Sequence, residues 1–314
     1  MAFSRAIIMD GIAVAQALRA EIHAARQRAD VTPGLATILV GDHAPSMQFA
    51  RNKNIAAVDL GFNFFLRMLP SNVSEERLLE TIDEFNDDIR THGIVVQLPL
   101  PDHINTSRIL QAIKLDKDVD GFHASNIGSL ALGHHKNPAL SSNVPCAAKA
   151  CATFLDHYGV DVAGRTALVI GRSRIAGMPT TLFLMHRGAT VINAGKRTPK
   201  ETLKQMCQTA DIVVAAAGVP DMVRGDWIKP GAAVIDIGIN YILKHGITQC
   251  VGDVNFEQVQ DVAGHITPVP GGIGPVCVME LLRNTLNNAI ATANQENEWL
   301  PPNVLVPPSP VIHI

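Results

Sequence analysis

Residues 166–179, TALVIGRSRIAGMP, constrain this chain more than any other stretch. Residues 167–170 are a short, partly β-branched apolar run of the kind that makes a buried parallel strand. Gly171 ends it, Ser173 and Gly177 keep the turn small, and residues 180–186 read as helix. A strand, a small-residue turn and a helix in that order aim backbone N–H groups and a helix N-terminus at one spot, which suits a phosphate. An ordinary tight βα turn would look the same from these residues alone, and the surrounding chain has to decide.

On both sides of this stretch, strands alternate with helices. Residues 12–28 have apolar side chains at helical spacing, 35–40 read as a buried strand stopped by Gly41-Asp42, and a helix opens at Ala44-Pro45-Ser46 and runs to about Leu60. A second strand fits 64–69, a helix 74–89, and a third strand 93–100, GIVVQLPL. A short helix over 105–113 and an acidic turn over 116–121 follow. Residues 124–144 lack clear periodicity and read as a linker before a helix at 147–158. The second half repeats the pattern, with strands at 167–170, 190–193, 211–216, 232–237 and 265–267 and helices at 180–186, 200–209 and 256–261. A long amphipathic helix spans 274–294, and the Pro-rich tail 301–314 reads as an extended arm. The alternation predicts a two-domain α/β chain with parallel sheets.

A length of 314 residues is ample for two cores, and aromatics at 4% leave those cores to aliphatic side chains. The net charge of −3 gives no support for nucleic acid or an anionic membrane as partner. The cysteines (Cys146, Cys151, Cys207, Cys250, Cys277) are scattered, form no CxxC pair and have no His cluster beside them, so neither disulfides nor a metal site is expected. The first apolar run is too short for a signal-peptide core and no window approaches a membrane span, so a cytoplasmic protein is expected.

A dinucleotide fold that prefers NAD places an acid after its second strand, on the ribose hydroxyls. Here residues 193–198 read NAGKRT, with no acid and two cations, Lys196 and Arg197. Arg172, directly after Gly171, adds a third. Cations at this place attract a 2′-phosphate and favour NADP; taken alone, Lys196 and Arg197 could equally be solvated turn residues.

In the first half the chemistry-bearing candidates are Lys53, Gln97 and Asp120. Phe49 and Lys53 share one helix face, and the apolar neighbours Ala50, Ile55 and Ala56 could hold the amine in a partly desolvated cleft that lowers its pKa. A snorkelling surface lysine is the bland alternative. Gln97 is a lone amide in an apolar strand and needs a partner. Asp120, in DKDVDGF, is either a turn-capping acid or a ligand group.

Together these pieces resemble the bifunctional methylenetetrahydrofolate dehydrogenase/methenyltetrahydrofolate cyclohydrolase family over nearly the whole chain. The resemblance is carried by GDHAPS (41–46), VVQLPLP (95–101), KDVDGFH (117–123), GRSRIAGMP (171–179), GDWIKPGAAVIDIGIN (225–240), VGDV (251–254) and TPVPGGIGP (267–275). It implies a catalytic, folate-binding domain over 1–145 completed by the helix 274–295, a Rossmann-like NADP-binding domain over 146–273, and an extra tail over 296–314. It also implies a homodimer with a tetrahydrofolate one-carbon derivative in the cleft between domains. Lys53 would be the catalytic lysine, Gln97 the amide that orients it, and Asp120 the acid that holds the pterin. Phe49, Pro270, Gly271 and Gly272 would line the folate. Gly171, Arg172, Ser173, Arg174, Ile175, Lys196, Arg197, Ile237 and Cys277 would contact NADP. The implied chemistry is hydride transfer from the methylene carbon to NADP, then addition of water to the methenyl cation with Lys53 as base.

The sequence departs from the family pattern at three hydroxyls. Phe49 stands where Tyr is usual, the family's PCTPKG reads PCAAKA over 145–150, and the usual Met-Thr after GGIGP is Val276-Cys277. These losses bear on the cyclohydrolase step more than on the dehydrogenase step. A dehydrogenase-only paralogue, an oxidoreductase on another cyclic aminal or iminium compound, and a catalytically silent folate- or nucleotide-binding subunit are the alternatives. The retained Lys53, Gln97 and Asp120 speak against the last.

Overall fold

The computed structural model describes residues 5–134, 143–244 and 247–298. The proposed arm at 301–314 lies outside them, as does most of the C-terminal part of the expected linker. The first half builds β1 (Ile7–Ile8), α1 (Gly11–Ala29), β2 (Gly34–Val40), α2 (Ala44–Asp59), β3 (Asn63–Leu69), α3 (Glu75–Asp87), β4 (Gly93–Val96), α4 (Thr106–Ala112) and α5 (Ala124–Ala131). The second half adds α6 (Cys146–His157), β5 (Thr166–Ile170), α7 (Gly177–His186), β6 (Thr190–Ala194), α8 (Lys200–Thr209), β7 (Ile212–Ala215), β8 (Ala233–Asp236), β9 (Asn240–Lys244), β10 (Ile247–Val251), α9 (Phe256–Val259), β11 (His265–Ile266) and α10 (Ile273–Glu298).

Two parallel sheets result. The smaller runs β3-β2-β4, and the larger β1-β11-β8-β7-β5-β6. Every residue of β2, β4, β7 and β8 is buried, which is why these strands read as unbroken apolar runs rather than alternating ones. Helix boundaries follow local chemistry. Asp10 caps α1 by accepting from Ile12 N at 2.8 Å, and Asp30 ends it in the left-handed region. Ser74 caps α3 through Arg77 N, with Glu75 and Glu76 favourably placed in its first turn. After the second domain is complete, α10 returns to pack on α1, α2 and α6, and its apolar face joins the core of the first half to that of the second.

Four features differ from the sequence expectation. The third strand stops at Val96, because Pro99 and Pro101 have no N–H for a ladder; Gln97 still donates its N–H to Ile38 O at 2.9 Å. Residues 124–131, read as linker, form α5, whose buried Asn126 and central Gly128 disguise the helical period. An antiparallel hairpin, β9 with β10, follows β8. The segment assigned to the first domain also lends β1 to the larger sheet, where Ile7 and Ile8 pair with His265 and Ile266; two residues are too short to show a period.

Gly11 fixes how the two halves meet. Its N–H donates to Gly271 O at 2.8 Å, and a Cβ there would collide with the carbonyl oxygens of Gly271 and Gly272. Gly11→Ala should therefore lower stability by about 1–3 kcal/mol, the usual cost of overpacking, measured by denaturant unfolding.

Candidate active site

The cleft between the halves is a cavity of about 590 Å³. From α2 it is lined by Pro45, Gln48, Phe49, Asn52, Ile55, Ala56 and Asp59, positions spaced to share one helix face. Opposite stand Ile237–Ile239 after β8 and the turn Pro270–Gly272 ahead of α10. One turn from Phe49 along α2, Lys53 donates from Nζ to Gln97 Oε1 at 2.9 Å. The other end of that amide, Nε2, donates to Leu98 O at 3.0 Å, which fixes the carboxamide so that its oxygen faces the lysine. A lysine on a helix and an amide just past a strand are thus brought together, and the amide has the partner its apolar setting demanded.

Asp120 lies close enough for the Lys53 charge to act on its carboxyl. Burial pushes that carboxyl up to about 6, Lys53 pulls it back, and neighbouring Asp118 adds to the rise. Asp118 itself is a structural acid that sequence reasoning missed. Fully buried, it accepts from Gly121 N, His123 N (2.7 Å) and Asn126 Nδ2 (2.8 Å), and so shapes the loop that carries Asp120. From α10, Asn284 Nδ2 donates to Val119 O at 2.9 Å and to Val144 O, while its Oδ1 accepts from Lys149 Nζ at 2.8 Å. Lys149 pairs with fully buried Glu280, which also accepts from Thr153 Oγ1.

A second cavity, of about 910 Å³, lies at the carboxyl ends of β5, β6 and β7. Gly171, Arg172 and Ser173 line it, and Lys196, Arg197, Lys200 and Arg224 bring its cations to five against one acid, Asp221. Gly171 takes φ +127°, and a Cβ there would strike Ala216 O, so only glycine lets the loop lie this close to β7. Arg172 is pinned at the end of β6: Nε donates to Asn193 Oδ1 at 2.8 Å and Nη2 to Asn193 O at 2.9 Å. Its charge is thereby held beside Lys196 and Arg197. Strand-end position, close backbone and surplus positive charge suit a dinucleotide with a 2′-phosphate.

Two buried acids that the sequence left without a role hold the loops between the cavities. Asp253 accepts from Ala217 N, Gly218 N, Val219 N and Asn240 Nδ2. Asp236 accepts from Gly238 N, Asp253 N and Val254 N, and burial pushes its carboxyl up to about 7. In sequence each looks like any acid near a turn; only the fold shows the converging N–H groups.

Not every cofactor candidate gathers at the second cavity. Arg174 instead donates to Ser107 Oγ at 2.6 Å, across to α4, and Ile175 is not among the residues lining the cavity. Ile237 lines the inter-domain cleft, and Cys277 packs from α10 against the central core, its thiol pushed up by burial. Among the described residues no group of three or more His, Cys, Asp or Glu is placed to hold a metal.

Comparison with known proteins gives the same outline. Residues 9–120 match the tetrahydrofolate dehydrogenase/cyclohydrolase catalytic domain, and residues 145–293 its NAD(P)-binding domain. The bifunctional protein FolD 4, chloroplastic, of Arabidopsis thaliana is 44% identical over 90% of this chain and 79% of its own length. The bifunctional protein FolD 3 of Rhizorhabdus wittichii is 46% identical over 89% of this chain and 91% of its own. The crystal structure of the Trypanosoma brucei methylenetetrahydrofolate dehydrogenase-cyclohydrolase, complexed with NADP and an inhibitor, superposes with a TM-score of 0.87 at 39% identity, covering 93% of this chain and 99% of that one. With both of its domain models matched in order, this chain belongs to the tetrahydrofolate dehydrogenase/cyclohydrolase family.

Proposed function

We propose that this protein oxidises 5,10-methylenetetrahydrofolate to 5,10-methenyltetrahydrofolate with NADP, and hydrolyses that product to 10-formyltetrahydrofolate in the same cleft. The observation that carries the reading is the Lys53–Gln97 contact, one helical turn past Phe49, which itself lines the inter-domain cavity opposite Ile237–Ile239. Gly171, Arg172, Ser173, Lys196 and Arg197 would hold NADP, which when bound accepts the hydride.

The first step asks little acid–base work of the protein. The substrate's own nitrogen lone pair expels the hydride and stabilises the resulting cation, so positioning is the main contribution. Phe49 and the Pro270–Gly272 turn bound the space for a flat ring system, and Asp120, ionised above about pH 6, accepts hydrogen bonds from the pterin. The second step adds water to the methenyl carbon and needs a base. In its neutral form Lys53 takes the proton from that water, while Gln97 Oε1 accepts one N–H of the amine. The adduct then collapses to the formyl group as the carbon–N5 bond breaks and the hydroxyl proton passes to N5. Phe49 supplies a ring face and no hydroxyl, so the lysine depends on Gln97 for its orientation.

A homodimer belongs to the same reading. β3 is an edge strand paired only with β2, and its Leu66 and Met68 are about half exposed beside Met47 of α2. A second copy covering this face would remove both the apolar surface and the open edge. The domain division 1–145 with 274–295, and 146–273, is retained, with β1 lent to the larger sheet. A cytoplasmic location is supported by five free cysteines, which suit a reducing compartment. Among the described residues no helix is long and apolar enough to cross a membrane.

Both steps should be measured on one preparation. NADPH formation from methylenetetrahydrofolate should exceed NADH formation, and methenyltetrahydrofolate should decay faster than in buffer. Lys53→Met should abolish the decay while hydride transfer suffers less; equal loss of both would make the lysine a substrate-positioning group. Lys196→Ala should raise the KM for NADP about tenfold, the worth of one charge-assisted phosphate contact, without altering that for NAD. As pH falls through about 6, Asp120 takes up a proton and loses acceptor capacity, so kcat/KM for the folate should drop while the KM for NADP holds.

A further inference from the structure

The inter-domain cavity extends well beyond Phe49, the lining residue one turn before Lys53 on α2. Along α2 its lining continues from Phe49 and Asn52 to Ile55 and Asp59, and α1 adds Ala15 and Arg19. From Phe49 to Asp59 is ten residues of helix, so this arm runs about 15 Å along the α2 axis. Its walls are mainly apolar. Arg19 is the one Lys or Arg among the described residues that line the cavity, and it stands at the outer end. Its Nη2 lies 3.4 Å from Asp59 Oδ2, with both side chains about half exposed. The other acid in the lining, Asp236, has both oxygens engaged by backbone N–H groups.

We infer that Arg19 receives the distal carboxylates of the substrate. The inference rests on the folate reading above, because a reduced folate has a flat apolar aminobenzoyl arm that ends in glutamate. Length and chemistry both match: the arm lies along an apolar trough, and its anionic end meets a guanidinium able to bind a carboxylate with two N–H groups. The Arg19–Asp59 pair does not block this. An ion pair between half-exposed side chains contributes little, so an incoming carboxylate displaces Asp59 at small cost. In the free protein Asp59 acts as a built-in competitor and weakens the grip on short tails. Arg19 is then a specificity residue that reads the presence and number of glutamates and takes no part in hydride or water transfer.

The test compares KM for three methylene donors: the tetrahydropteroate lacking glutamate, the monoglutamate and the triglutamate. Arg19→Ala should raise KM for the glutamylated donors about three- to fivefold, the size of one exposed charge pair, with kcat, the KM for NADP and the KM for the pteroate unchanged. The difference should shrink at high ionic strength. Asp59→Asn should lower KM for the glutamylated donors; an increase overturns the inference. So does a shift of equal size for all three donors, or no shift at all in Arg19→Ala. If the wild-type protein turned over none of the three, the function proposed above would fail instead.

Discussion

The carboxamide of Asn284 joins three segments that are far apart in the chain. Through it α10 holds Val119 of the first half, Val144 at the entry to the second, and the Lys149 ammonium on α6. Buried polar groups are costly unless fully partnered, and a buried charge more so. Lys149 and Glu280 are acceptable in this core because each has both an opposite charge and further partners. These contacts tie the loop that carries Asp120, one residue after Val119, to the start of the NADP-binding half.

Much of the architecture was legible in the sequence because parallel strands are buried on both faces and announce themselves as short apolar runs. β5 was read almost to the residue for that reason, helped by Gly171 at its edge. α5 was hidden by Asn126, whose burial makes sense only once Asp118 and the Asn143 N–H stand beside it. The β9–β10 hairpin was hidden by its own composition: Tyr241 and Leu243 are exposed, so no inward-facing pattern marks the strand. The limits of sequence reasoning were therefore local, and lay where polar groups are buried or apolar ones exposed.

The site shows the same division. Lys53 and Gln97 were recognisable singly, and the 2.9 Å contact between them follows from α2 packing on β2, the strand that pairs with β4. Arg174 reaches across to Ser107 on α4, and in sequence a cation in a phosphate-type loop looks the same whether it faces a phosphate or the opposite domain. Asp118 and Asp253 escaped notice, and Asp236 was given no role beyond capping a loop, because an acid near a turn is an ordinary residue until several N–H groups are seen to converge on it. Residues that act on ligands leave a signature in type and spacing. Residues that hold loops in place leave one only in three dimensions.

The loop Ala217–Val219, which walls the cofactor cavity, is gripped by Asp253 through its main chain. Its shape is therefore set from behind, independently of the cations Lys196 and Arg197 that line the same cavity. Lys196 and Arg197, exposed on the turn after β6, carry no part of that scaffold. Exchanging them for neutral or acidic residues would leave the pocket standing. If Lys196 and Arg197 read the nucleotide as proposed, its choice is separable from the folate chemistry across the cleft.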